Sequence, residues 1–236
     1  METENVVQEE VVEQEVAEKV CKKGYTEMAV VIDQSGSMWS LKQATIEGVN
    51  KFIEEQSRLN GEANVTMVLF EDYVKAADAT PIVDFPVMTN ETYCPNGNTS
   101  LFDAIGKTIT DMKERIDALD ETDRPEFVIV VVMTDGEENA SRNFSGSQIN
   151  EMIDAQKNED WHFIFLGAGI DADKASGSMG IRSDMTRSYG RSHVDSVDAY
   201  LSTSRSISSL RGGADMLSVR VEDDEEEEEE EDDKKI

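Results

Sequence analysis

From Phe127 to Met133 the chain reads Phe-Val-Ile-Val-Val-Val-Met, apolar throughout and mostly β-branched. A strand with one wet face alternates apolar and polar residues, so a run without interruption belongs to a strand buried on both sides. Such a strand needs cover above and below, which parallel strands joined by helical crossovers provide. Strands are therefore expected at 25–33, 63–70, 126–134, 161–167 and 185–189, with a shorter, more polar stretch at 73–79 as an antiparallel edge. Helices are expected at 42–59, with Ile46, Val49, Ile53 and Gln56 on one stripe, and at 101–119, with Ile105, Ile109, Met112 and Ile116 on another. Further helices fall at 146–156, 171–179 and 194–210. The fold class is α/β: a doubly wound, Rossmann-like, mostly parallel central sheet with helices on both faces and one antiparallel edge strand.

The end of the first strand carries the chemistry. Asp33, Ser35 and Ser37 sit on alternate residues directly after Met28-Ala29-Val30-Val31-Ile32, so a carboxylate and two hydroxyls point to one side of an extended segment. Three hard oxygens at that spacing are the start of a Mg²⁺ site. Two later segments, 97–105 and 133–139, supply further oxygens in loops, the second of them directly after the apolar run. The strand order predicts that Asp33 and Asp135 lie at the carboxyl ends of neighbouring strands, where open α/β sheets bind ligands.

Asp-x-Ser-x-Ser at 33–37, a Thr at 99 in a Gly/Asn-rich loop and Thr134-Asp135-Gly136 after a buried strand together resemble the metal-ion-dependent adhesion site of von Willebrand factor A (vWA) domains. The resemblance spans residues 25–212 with the motifs in the family's order, and it is strongest toward small intracellular bacterial or phage members. It implies a metal set of Asp33, Ser35, Ser37, Thr99 and Asp135. Ser35 and Ser37 would be direct ligands and Asp33 would act through water, while Thr99 and Asp135 trade direct and water-mediated contact between two states. An all-oxygen set favours Mg²⁺, with Mn²⁺ or Ca²⁺ as substitutes, and argues against zinc or copper. Mg²⁺ wants six ligands, so a partner's Asp or Glu carboxylate completing the shell is the function the resemblance implies. An AAA+ ATPase is a candidate partner on the same ground.

Charge narrows the partners. The chain has a net charge of −29, and residues 222–233 are acidic without a break. Such a chain repels phosphate backbones and anionic lipid, so neither nucleic acid nor membrane is expected as a partner. The organisation expected is an acidic N-terminal arm at 1–24, one domain at 25–212, and a linker with a disordered acidic tail at 213–236. Cys21 and Cys94 fit neither a zinc spacing nor a disulfide framework. With no apolar leader and no run of about 20 apolar residues, a cytoplasmic location is expected.

Competing readings are weaker. A phosphohydrolase also places an Asp after a buried strand, but the haloacid-dehalogenase-like pattern needs a second Asp where Ser35 stands. No GxxxxGK[ST] loop is present, and His162 and His193 lie outside any triad motif, so the chain is expected not to be an enzyme. A phage or structural assembly component is the third reading. Trp39 and Cys94 are candidate neighbours of the metal loops, and Glu137 and Glu138 candidate rim residues on a solvated loop.

Overall fold

A computed structural model describes residues 20–213. The expected acidic arm before residue 20 and the tail beyond 213 lie outside the described residues. The strands are β1 (Lys22–Asp33), β2 (Glu62–Phe70), β3 (Val74–Ala76), β4 (Thr80–Pro81), β5 (Pro125–Thr134), β6 (Trp161–Ala168) and β7 (Thr186–Tyr189). The helices are α1 (Lys42–Ser57), α2 (Leu101–Asp117), α3 (Gly146–Lys157), α4 (Ala172–Gly177) and α5 (His193–Arg211).

The sheet order is β3-β2-β1-β5-β6-β7, with β4 also pairing β2. The β1–β2, β1–β5, β5–β6 and β6–β7 pairs are parallel, while β3 and β4 run antiparallel to β2. The antiparallel edge is thus present and has a second, two-residue piece in β4. The central position of β5 follows from its composition: Ile129 to Met133 are fully buried, as are Met28 to Ile32 on its neighbour β1. Connections leave β1 toward β2 and leave β5 toward β6, in opposite directions across the sheet. Right-handed crossovers therefore put α1 and α3 on opposite faces and open a crevice at the carboxyl ends of β1 and β5. Helix α1 packs with α5, and α2 packs with α3.

Two boundaries differ from expectation. Strand β1 begins at Lys22 rather than at residue 25, because Lys22 pairs with Pro125 across an irregularity in register and its N–H donates to Arg124 O at 2.8 Å. Helix α1 is preceded by a 3₁₀ helix, Gly36–Leu41, which carries the chain from the site loop to the first helical turn. That segment buries Met38 and Leu41 beneath it.

Candidate metal centre

The parallel register brings the two strand ends to one height. Ile32 pairs with Met133, so Thr134 stands beside Asp33 and Asp135 follows one residue later. Thr134 Oγ1 donates to Asp33 Oδ2 at 2.6 Å, and the Ser35 N–H donates to Asp33 Oδ1 at 2.7 Å. The Asp33 carboxylate, fully buried, is therefore fixed by a donor at each oxygen. Burial pushes its pKa up from 3.8 to about 6; the Thr134 and Ser35 bonds oppose that rise, and the charge of Asp135 adds to it.

The first loop is anchored on both sides. The Gln34 N–H donates to Phe70 O at 2.7 Å, Gln34 O accepts from the Asn96 N–H at 2.7 Å, and the Gly36 N–H donates to Gly97 O at 3.0 Å. Gln34 Nε2 donates to Cys94 O at 3.0 Å. These bonds hold Ser35 and Ser37 so that their hydroxyls lie 3.0 Å apart, and Ser37 Oγ donates to Asp135 Oδ1 at 2.6 Å. Thr99 is clamped by Asn139: its N–H donates to Asn139 Oδ1 at 2.9 Å, and its carbonyl accepts from the Asn139 N–H at 3.0 Å.

Gly136 marks where the three loops meet. A Cβ built there would lie 3.3 Å from Thr99 Oγ1, 3.9 Å from Ser37 Oγ and 4.0 Å from Asp33 Oδ2. The space in front of Gly136 is therefore bounded by one oxygen from each of three expected residues, and Ser37 ties that group to Ser35 and Asp135. Any other residue at 136 would put its Cβ into this space.

Electrostatically the centre is two buried carboxylates and three hydroxyls. Among the described residues no group of three or more His, Cys, Asp or Glu side chains forms a metal cluster, so the hydroxyls are an indispensable part of any cation site here. Asp135 Oδ2 is buried and accepts no hydrogen bond. Arg191 Nη2 stands 2.7 Å from that oxygen, off the hydrogen-bonding direction, so the contact is an ion pair alone. Unfilled lone pairs on a buried carboxylate beside hard hydroxyls suit a hard divalent cation, so the residues fit Mg²⁺.

Several neighbours take other roles. Glu138 is no solvated rim residue: its carboxylate accepts from the Phe102 N–H at 2.9 Å, the Ala140 N–H at 2.9 Å and the Ser141 N–H at 2.7 Å. Asp103 accepts from the backbone N–H groups of Arg142, Asn143 and Phe144 at 2.8–2.9 Å. Together these acids fasten the loop after β5 to the first turn of α2. Glu137 is exposed beside Gly136. Trp39 is 65% exposed, with Lys42 Nζ 5.4 Å from its ring centre. Cys94 donates its thiol to Asn90 O at 3.3 Å, and both cysteines are free. His162 is buried near the start of β6, at the far end of the sheet, and His193 opens α5 and pairs with Glu47.

No family model and no curated protein matches the chain. Solved structures do. The vWF domain of the type V pili tip protein Mfa5 from Porphyromonas gingivalis aligns with a TM-score of 0.58 at 10% identity, over 77% of this chain and 94% of that one. This is the von Willebrand factor A fold. A von Willebrand factor type A protein from Catenulispora acidiphila matches at 0.55 and 14% identity, over 78% of this chain and 42% of its own. Proximal thread matrix protein 1 from the mussel byssus matches at 0.57 and 15%, over 80% and 47%. The vWA-fold chain thus spans less than half the length of these last two. Manganese-loaded TRAP protein from Plasmodium vivax matches at 0.52 and 18%, over 74% and 72%.

Proposed function

We propose that this vWA-fold chain is a Mg²⁺-dependent protein-binding module that engages a carboxylate on a partner. The observation that carries the reading is the meeting of three loops at the carboxyl ends of β1 and β5, where Thr99 Oγ1, Ser37 Oγ and Asp33 Oδ2 face Gly136 and Asp135 accepts from Ser37. Asp33, Ser35, Ser37, Thr99 and Asp135 would hold the ion, and the cation would supply a Lewis-acidic position for one external oxygen. The protein's own part is to keep that position clean. The clamps from Asn139, Glu138 and Asp103 tie the loop after β5 to Thr99 and the start of α2 and so fix the position of the second loop. A neighbouring fold described as manganese-loaded supports a divalent ion, and one found in a pilus tip protein supports an interaction role.

The acidic composition sets the partner's character. A net charge of −29 repels other acids at long range, so the partner is a protein that is basic around one exposed Asp or Glu, with an AAA+ ATPase as the candidate class. The same charge disfavours nucleic acid and anionic membrane surfaces as partners. Two free thiols favour the cytoplasm. We infer a binding role without catalysis, because Ser35 stands where a haloacid-dehalogenase-like phosphohydrolase needs its second Asp.

The test is a pull-down from the native host with and without EDTA, using wild type and Thr99→Ala. The expected result is a partner lost in EDTA and depleted about tenfold or more by Thr99→Ala, with the circular dichroism of the variant unchanged. A partner retained in EDTA and bound equally by Thr99→Ala would move the functional surface away from these loops.

A further inference from the structure

Arg191 reaches the centre from the turn between β7 and α5, and its path is built into the backbone. Gly169, at φ +65°, lies under the side chain: a Cβ there would stand 2.8 Å from both Cγ and Cδ of Arg191. A residue other than glycine is thus opposed twice, by conformation and by the arginine stem. At the head, Nη2 alone makes all the contacts, 2.7 Å from Asp135 Oδ2, 3.0 Å from Ser37 O and 3.1 Å from Ser40 Oγ. Among the described residues Nη1 and Nε have no hydrogen-bond acceptor, and the side chain is 41% exposed. A guanidinium anchored through Nη2 keeps its full charge and the N–H donors of Nη1, so it can donate to one oxygen of a carboxylate.

We propose that Arg191 is a specificity-determining residue of this site, making it take a divalent cation and a carboxylate together rather than a cation alone. The inference rests on the metal reading above. In the resting protein the guanidinium balances Asp135, so an incoming cation meets a like charge across one carboxylate. An anionic group placed between the cation and the free Nη1 donor offsets that repulsion, and the two ligands favour each other's binding. This explains how an acidic protein presents a local attraction for an acid: the positive charge is stationed at the mouth of the centre.

Mn²⁺ is the probe, titrated by electron paramagnetic resonance into wild type, Arg191→Gln and Arg191→Lys, in chloride and in acetate buffers of equal ionic strength. Arg191→Gln is expected to bind Mn²⁺ about tenfold tighter than wild type in chloride. Acetate is expected to tighten wild-type binding severalfold and Arg191→Gln distinctly less. Arg191→Lys, which keeps the charge, is expected to restore weak binding in chloride, a rescue that a merely structural role would not produce. Equal or weaker Mn²⁺ binding by Arg191→Gln in chloride, or an undiminished acetate response, overturns the proposal while leaving the metal reading intact. Absence of Mn²⁺ binding by wild type and both variants overturns both.

Discussion

Asp33 illustrates how a single residue can be well held and still costly. Its carboxylate accepts from Thr134 and Ser35, yet burial lifts its pKa from 3.8 to about 6. The folded value lies above the unfolded one, so the native state binds the extra proton between them. Metal-free stability therefore falls as pH rises through that window, and the cost is complete above the folded value. The expected size is about 3 kcal/mol, from about two pKa units. Urea melts in EDTA can isolate it: relative to Asp33→Asn, wild type should lose about this much stability between pH 4 and pH 7. A difference between the two proteins that does not move with pH would show that Asp33 is better solvated than its burial implies.

The element that matters most is the loop after β5, and it shows where sequence reading stops. That Asp33, Ser35, Ser37, Thr99 and Asp135 lie near one another was legible from the order of the motifs that resemble vWA domains; that they hold a metal is the proposal made above. The strand and helix pattern was legible because apolar runs and helical stripes are local. Thr134 was not singled out, because its role depends on the parallel register that seats it beside Asp33. Glu138 and Asp103 were also hidden: Glu138 reaches the Phe102 N–H 36 residues away, and Asp103 the N–H groups of Arg142 and Phe144, 39 and 41 residues away. Glu138 read as a rim acid only because a sequence does not show which N–H groups surround it.

For Asp103, burial favours the neutral form, but the N–H groups of Arg142, Asn143 and Phe144 outweigh it and hold its pKa below the usual carboxylate value. Its contribution is present above the unfolded pKa and is lost as pH falls through the folded one. Asp103→Ala should cost about 3 kcal/mol through the donors it strands, measured by urea unfolding. Hydrogen exchange should show the loss concentrated at residues 138–145. Uniform loss across the sheet would mean that the loop is not the unit that Asp103 secures.

For the whole molecule, the crevice follows from topology and the partner's character from charge. The crevice exists because crossovers diverge on either side of β1 and β5, and the residues that line it come from three separate loops. The acidic run at 222–233 lies outside the described residues, and the proposed role draws on its charge alone. Truncation after Gly213 should leave the melting temperature and the Mg²⁺ response unchanged while weakening the long-range repulsion of acidic partners. A drop in melting temperature would show that the removed segment docks on the domain.

The most direct measurement is the thermal unfolding of wild type and Asp33→Ala across a Mg²⁺ titration. A cation held only by the folded state stabilises it by about 2.7 kcal/mol at 100-fold over its dissociation constant, which for a domain of this size raises the melting temperature by roughly 5–10 °C. In acetate, wild type should show that rise once Mg²⁺ reaches such an excess, and Asp33→Ala should not. If the two proteins respond identically, Asp33, Ser35, Ser37, Thr99 and Asp135 do not hold the ion.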